Sequence, residues 1–229
     1  DQISQLNIKR KKSNYSINSK IFDGTKILDR ILFSKSDGNF FDVFEKLNSK
    51  ITINFNTIYI TNEDYLTNFK ADMIVNNNQI KDLILSSQFA TKEDLKLSIK
   101  TNSNNERITD LFAGNAKPLV KKYDFIKGFE GGYLKFDSIE KNKVSNSNLK
   151  IFDFKLKEVP ALTKLLTLAS LQGIADLLTG EGIRFNEFEM IFNNKDGLMT
   201  IEEIYSLGPS ISILTVSYTH LRAHETDYY

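Results

Sequence analysis

Few residues in this chain have the types and spacing that chemistry needs. Asn194, Asp196, Gly197 and Glu203 fall at positions 3, 5, 6 and 12 of a calcium-binding loop. Position 1 would be Phe192, which has no oxygen to offer, so half of the negative cage is missing. Asp196-Gly197 is also the strongest short-range signal for a two-residue hairpin turn, and the sequence predicts a hairpin there. The cluster Gly128-Phe129-Glu130-Gly131-Gly132 does not have the spacing of a phosphate-cradling loop and precedes a strand rather than a helix. It is expected to be a tight turn. Two carboxylate pairs invite a glycosidase reading. Glu202 and Glu203 are adjacent, so on a strand they point to opposite faces and cannot flank one bond. Glu187 and Glu189 share a face, but it is the wet one opposite Phe188 and Met190.

The two histidines, His220 and His224, lie four apart, a spacing that could ligate a metal on a helix. The surrounding segment SYTHLRAHET, residues 217–226, breaks composition with everything before it. It resembles the translation of a sequencing-adapter read-through, so residues 218–229 are expected to be a non-native tail. Cysteine is absent, which removes disulfides, Cys–zinc sites and thiol nucleophiles together. No catalytic constellation and no cofactor or metal site is left, and the chain is expected not to be an enzyme. Lys+Arg number 30 against 29 Asp+Glu, a net charge of +1. That balance argues against a nucleic-acid partner, which calls for a cation surplus on one face. The run Lys9-Arg10-Lys11-Lys12 is expected to be a cationic turn, with a lipid headgroup the one plausible contact. No apolar run is long enough to span a bilayer as a helix. The chain starts at Asp1 without a signal peptide and reads as an internal fragment.

The elements that would position any site are mostly strands. Ile51, Ile53 and Phe55 alternate with Thr52, Asn54 and Asn56, and the same period of two runs through Phe69, Ala71, Met73 and Val75. It recurs in Leu83, Leu85 and Phe89, with Ser87 on the same face, and in Leu95, Leu97 and Ile99. Each run gives one apolar and one wet face. Asn76-Asn77-Asn78, Thr91-Lys92-Glu93 and residues 102–105 are turn signals. Connections this short imply antiparallel pairs, since a parallel pair needs a crossover of about a dozen residues. Residues 3–9 and 15–22 predict an N-terminal hairpin. Further strands are predicted at 132–138, 148–157, 184–192, 198–205 and 211–217. Within 149–157 the apolar parity switches between Ile151 and Phe152, which predicts a β-bulge or burial on both faces. Helical spacing appears at 25–33, at 115–125 with Pro118 in the first turn, and at 159–178. The expected fold is mainly β: a long twisted, mostly antiparallel sheet of roughly ten strands forming a groove, with a few short covering helices.

Residues 160–185, PALTKLLTLASLQGIADLLTGEGIRF, are similar to a signature of the AsmA-like superfamily near its YhdP branch. That signature is a leucine-rich helix pair, a Gly-x-Gly-Ile-x-Phe turn and following strands. Residues 194–200 and 206–210 fit it as well. Upstream, Ala113-Gly114-Asn115 through Gly131 to Phe136 resembles the branch's short helix and Gly-Gly strand start. The resemblance covers about residues 20–217 and makes 1–217 a single β-groove region of a larger protein. It implies an elongated groove on a protein anchored in the Gram-negative inner membrane through a segment outside this chain. Such a protein crosses the periplasm and is implicated in phospholipid movement to the outer membrane and in that membrane's integrity. It supplies no catalytic residues. Phospholipid acyl chains are the implied partner, with the membrane reached through other parts of the protein. The alternating faces nominate Ile53, Phe55, Phe69, Met73, Leu83, Leu85, Leu95, Leu97, Leu134, Phe136, Phe154, Phe188 and Met190 as groove lining. Ordinary core packing is the competing role for each of them. The alternative function is a structural or adhesive β-rich surface protein with a closed core and no enzymatic activity.

Overall fold

The computed structural model describes residues 5–25, 47–123, 126–157, 182–209 and 212–222. Among them the chain is mostly strand: β1 (Asn7–Lys11), β2 (Asn14–Asp23), β3 (Ser49–Tyr59), β4 (Tyr65–Asn76), β5 (Gln79–Phe89) and β6 (Asp94–Thr101) come first. β7 (Arg107–Ala113), helix α1 (Lys117–Tyr123), β8 (Phe129–Lys141), β9 (Val144–Leu156), β10 (Ile183–Lys195), β11 (Leu198–Leu207) and β12 (Ser212–Arg222) complete them. The strands form one 12-stranded open sheet whose spatial order is the order of the chain. The strand pairs with a recorded direction are antiparallel except β2–β3, which is parallel from Tyr15↔Ile51 to Asp23↔Tyr59. The chain between β2 and β3 is long enough for the crossover that a parallel pair requires.

The mainly β, mostly antiparallel expectation holds, with twelve strands rather than about ten. β7 is an addition to the strands read from sequence. The N-terminal hairpin turns at Lys12-Ser13, so Lys9, Arg10 and Lys11 belong to β1 and not to the turn. Gly131-Gly132 is a second correction. It sits inside β8 rather than in a turn, with φ of 74° at both glycines, while Gly128 belongs to the preceding turn. The helices expected at 25–33 and 159–178 lie outside the described residues, apart from Thr25. The helix expected at 115–125 is α1, with Pro118, Leu119 and Val120 buried. The Asn115 side-chain oxygen accepts from the Lys117 N–H at 3.2 Å and caps its start.

The chain divides into two compact units, Asp1–Phe112 with Ser138–Lys143, and Ala113–Asp137 with Val144–Tyr229. In the first, cross-strand rows carry the core. One row runs Tyr15, Ile51, Met73, Leu83, Ile99, and the next Ile17, Ile53, Ala71, Leu85, Leu97. Leu83 and Ile99 are 0% exposed. Burying such a side chain contributes about 1.5–3 kcal/mol. The opposite face is largely polar, with the Thr52 hydroxyl donating to Asp72 at 2.6 Å, but also carries Ile74 and Ile84, 47% and 62% exposed.

Both units contain the same local device. In the first, the buried parity changes between Leu66 and Phe69 on β4 and between Phe55 and Ile58 on β3, with Asn68 at φ 53°. In the second, it changes between Ile151 and Phe154 on β9, with Asp153 at φ 54°. On β4 the register to β5 slips between Thr67 and Lys70, as in a bulge, whereas the phase switch legible in 149–157 is a kink at Asp153 across which the pairing to β10 keeps its register, from Phe185↔Phe154 to Glu187↔Phe152. Asn and Asp tolerate the left-handed region best among non-glycine residues. A stack of phenylalanines lies beside each change of parity: Phe22–Phe55–Phe69 at 4.7 and 5.8 Å, and Phe129–Phe154–Phe185 at 5.1 and 5.2 Å.

Candidate functional site

The chemically suggestive residues resolve into architecture. Asp196 and Gly197, at φ 53° and 80°, form the two-residue turn between β10 and β11. The Gly197 N–H donates to the Asn194 side-chain oxygen at 3.2 Å, and Glu203 stands along β11 opposite Ile191. Glu189 lies on the polar face. It accepts from Asn148 at 2.7 Å and pairs with Lys150 at 3.1 Å. Partial burial raises the Glu189 carboxyl's pKa, but Asn148 and Lys150 outweigh it and hold the group below its ordinary value. Glu202 accepts from Asn193 at 2.9 Å. Among the described residues no group of three metal-ligating side chains comes together. His220 lies on β12 opposite Thr200, and His224 lies outside the described residues. β12 itself continues through Tyr218 to Arg222, pairing with β11.

The buried serines also have structural occupations. Ser87 donates its hydroxyl to the Thr67 carbonyl at 2.7 Å, and Ser19 to the Ile21 carbonyl at 2.7 Å. Ser206 donates to the Glu187 carbonyl at 3.2 Å. Each hydroxyl thus satisfies a backbone carbonyl, and that of Ser87 does so where the β4–β5 register slips between Thr67 and Lys70.

What remains is the apolar face. Of the nominated residues, Phe55, Phe69, Met73, Leu83, Leu85, Leu95, Leu97, Leu134 and Phe154 are packed out of solvent, at 0–6% exposure. Ile53, Phe136, Phe188 and Met190 are half-buried. Three of these four fall in the second unit, Phe136 on β8 and Phe188 and Met190 on β10. Registers put Ile151 beside Phe188 and Leu149 beside Met190, and then Met190 beside Ile204 and Phe192 beside Ile201. Phe136 reaches over to Phe192, ring centres 6.4 Å apart. Phe192, Ile201 and Ile204 are half-buried as well, so a strip of large apolar side chains on β8, β10 and β11 is only partly covered. Phe192, Ile201 and Ile204 were not among the groove residues nominated from sequence. The bulge at Glu202, where the pairing passes from Ile191↔Glu203 to Phe192↔Ile201, moves Ile201 onto this face against simple alternation.

The strip has the chemistry of an acyl-chain surface: polarizable aromatic, thioether and branched aliphatic groups, with no charged side chain in the rows named. Glu189 on β10 and Lys150 on β9 lie on the other face and pair with each other at 3.1 Å. Searches of family models, curated proteins and solved structures match nothing to this chain.

Proposed function

We propose that the chain is a segment of an AsmA-like bridge protein that handles phospholipid in the Gram-negative periplasm. Acyl chains would lie on the apolar sheet face while the polar face meets water. Transport in this segment is passive, because the sequence offers no nucleotide-binding motif to drive it. The anchor in the inner membrane, and delivery toward the outer membrane, belong to other parts of the full-length protein.

The observation that carries this reading is the half-covered strip formed by Phe136, Phe188, Met190, Phe192, Ile201 and Ile204. A sheet that served only as scaffold would gain stability by covering those side chains, at about 25 cal/mol for each Å² withdrawn from water. Leaving large apolar groups together in partial contact with solvent is typical of a surface that meets an apolar ligand. The sealed core of the first unit supports the rival reading, a structural or adhesive protein. Leu83, Leu95, Leu97 and Ile99 leave at most 2% of their surface to water.

The two readings part in one preparation. The full chain, exported to the periplasm of a Gram-negative host and purified without detergent, is extracted with organic solvent and assayed by mass spectrometry. The lipid-handling reading expects phospholipid in amounts comparable to the protein, depleted by Met190→Asp. A lipid-free preparation defeats it and leaves the structural role.

A further inference from the structure

We infer that Ser145 and Asn194, side by side at the hairpin end of the half-covered strip, receive the ester carbonyl of a bound acyl chain, so that the strip selects an esterified chain over a free fatty acid. The inference rests on the lipid-handling reading above and deepens it. Ser145 pairs with Asn194 across β9 and β10, and Met199 of β11 lies on the other side of Asn194. Each stands two residues beyond a strip-face position, Ser147 on β9 and Phe192 on β10, so both share the face of the strip. Both are half-buried. The Gly197 N–H donates to the Asn194 Oδ1 at 3.2 Å, which engages the oxygen of that amide and leaves its nitrogen, a donor only. Among the described residues neither this nitrogen nor the Ser145 hydroxyl has a hydrogen-bond partner.

The two ends of the strip differ in kind. At the kink end the row Ile151, Phe188, Ser206 contains one hydroxyl, that of Ser206, which is 4% exposed and already donates to the Glu187 carbonyl. Ile151 in the same row is 0% exposed, and Phe154 and Phe185 beyond it are sealed as well. A polar group has no place there. At the hairpin end the two donors are open and unclaimed. From Phe188 to Asn194 the strand runs about 20 Å, comparable with the length of one acyl chain. The chain therefore lies with its methyl end toward the kink and its polar end at Ser145 and Asn194. An ester carbonyl only accepts hydrogen bonds, which suits two donors. A free fatty acid would bring a carboxylate instead. The rows from Ile151↔Phe188 to Ser145↔Asn194 and their β11 partners contain no cation, and Lys195, next along β10, falls on the opposite face. Withdrawing an unpaired carboxylate from water beside this strip costs far more than withdrawing an ester.

The test is isothermal titration of the full chain with palmitoyl lysophosphatidylcholine and with its ether-linked hexadecyl counterpart, which lacks only the carbonyl, both kept below micelle-forming concentrations. The parent should bind the ester about tenfold more tightly than the ether, the scale of a lost hydrogen bond or two. It should bind ionised palmitate more weakly than the ester. The double variant Ser145→Ala, Asn194→Asp removes both donors but keeps an oxygen for the Gly197 N–H, and it should bind ester and ether alike. Thermal unfolding matching the parent's will show that the variants fold. Equal binding of ester and ether by the parent overturns the inference. So does an ester preference that survives in the double variant, or palmitate held as tightly as the ester. Met190→Asp, with Ile204→Asn as a milder second probe, separates this inference from the reading beneath it. If these changes abolish binding while the parent does not distinguish ester from ether, the strip stands and the donor pair falls. If neither lipid binds the parent, both fall.

Discussion

Gly132 offers the sharpest test of how the second unit is put together. Its φ is 74°, and an alanine Cβ at this position would stand 2.7 Å from the Phe152 carbonyl oxygen and 3.0 Å from the Phe154 Cβ. The first atom is backbone and cannot rotate away, and the second belongs to the phenylalanine stack beside Asp153. Gly197, in the β10–β11 turn, has a φ of 80° with nothing within 4 Å of the same added atom. Both Gly→Ala changes carry the left-handed backbone penalty of about 1–2 kcal/mol. Only Gly132→Ala adds overpacking, about 1–3 kcal/mol more. Gly132→Ala should therefore destabilise by about 2–5 kcal/mol and Gly197→Ala by about 1–2 kcal/mol. Urea unfolding followed by circular dichroism measures the difference. Equal effects at the two sites would refute the close approach of β8 to β9.

Leu97→Asp buries an unpaired charge at a site 2% exposed and should destabilise the first unit by several kcal/mol; a melting temperature unchanged from the parent would contradict the sealed core. Glu189 titrates below its ordinary value of 4.5, so its contribution is fully present above that value and is lost as pH falls through the lower folded one. Glu189→Gln should flatten this acid-side loss, seen as a smaller drop in unfolding midpoint between pH 5 and pH 3 in the variant. Deleting residues 218–229 removes the Ile201↔Thr219 to Leu198↔Arg222 pairs of β11 with β12 and keeps the Glu203↔Val216 to Leu207↔Ser212 ladder. The expected change is below about 1 kcal/mol, and a larger loss would make the tail part of the native fold.

Much of the sheet is legible in the sequence because one-sided burial writes a period of two. On β4, Phe69, Ala71, Met73 and Val75 are all buried, and the polar residues between them are exposed. The kink at Asp153, with φ 54°, left its own mark, a change of parity within one strand. β7 escaped because its buried face is Thr109, Leu111 and Ala113, only one of them a large hydrophobe. Its signal was the alternation with Asp110 rather than the hydrophobicity. Gly131-Gly132 looked like a turn because positive φ serves both a turn and a close strand approach, and only the carbonyl of Phe152 distinguishes them. The parallel β2–β3 pairing depends on a partner far along the chain, which local pattern does not encode. The same limit applies to the candidate site. Leu97 and Met190 have the same alternation, yet one is sealed and the other half-covered. What lies above a strand is decided by tertiary packing.

The central claim is that the half-covered strip meets acyl chains while the sealed rows do not. A photo-crosslinking residue placed at 188 or 190, with controls at 69 and 97, tests it directly in membranes of a Gram-negative host. The account predicts phospholipid adducts from positions 188 and 190 and protein-only adducts from 69 and 97. Protein-only adducts from all four positions would contradict it.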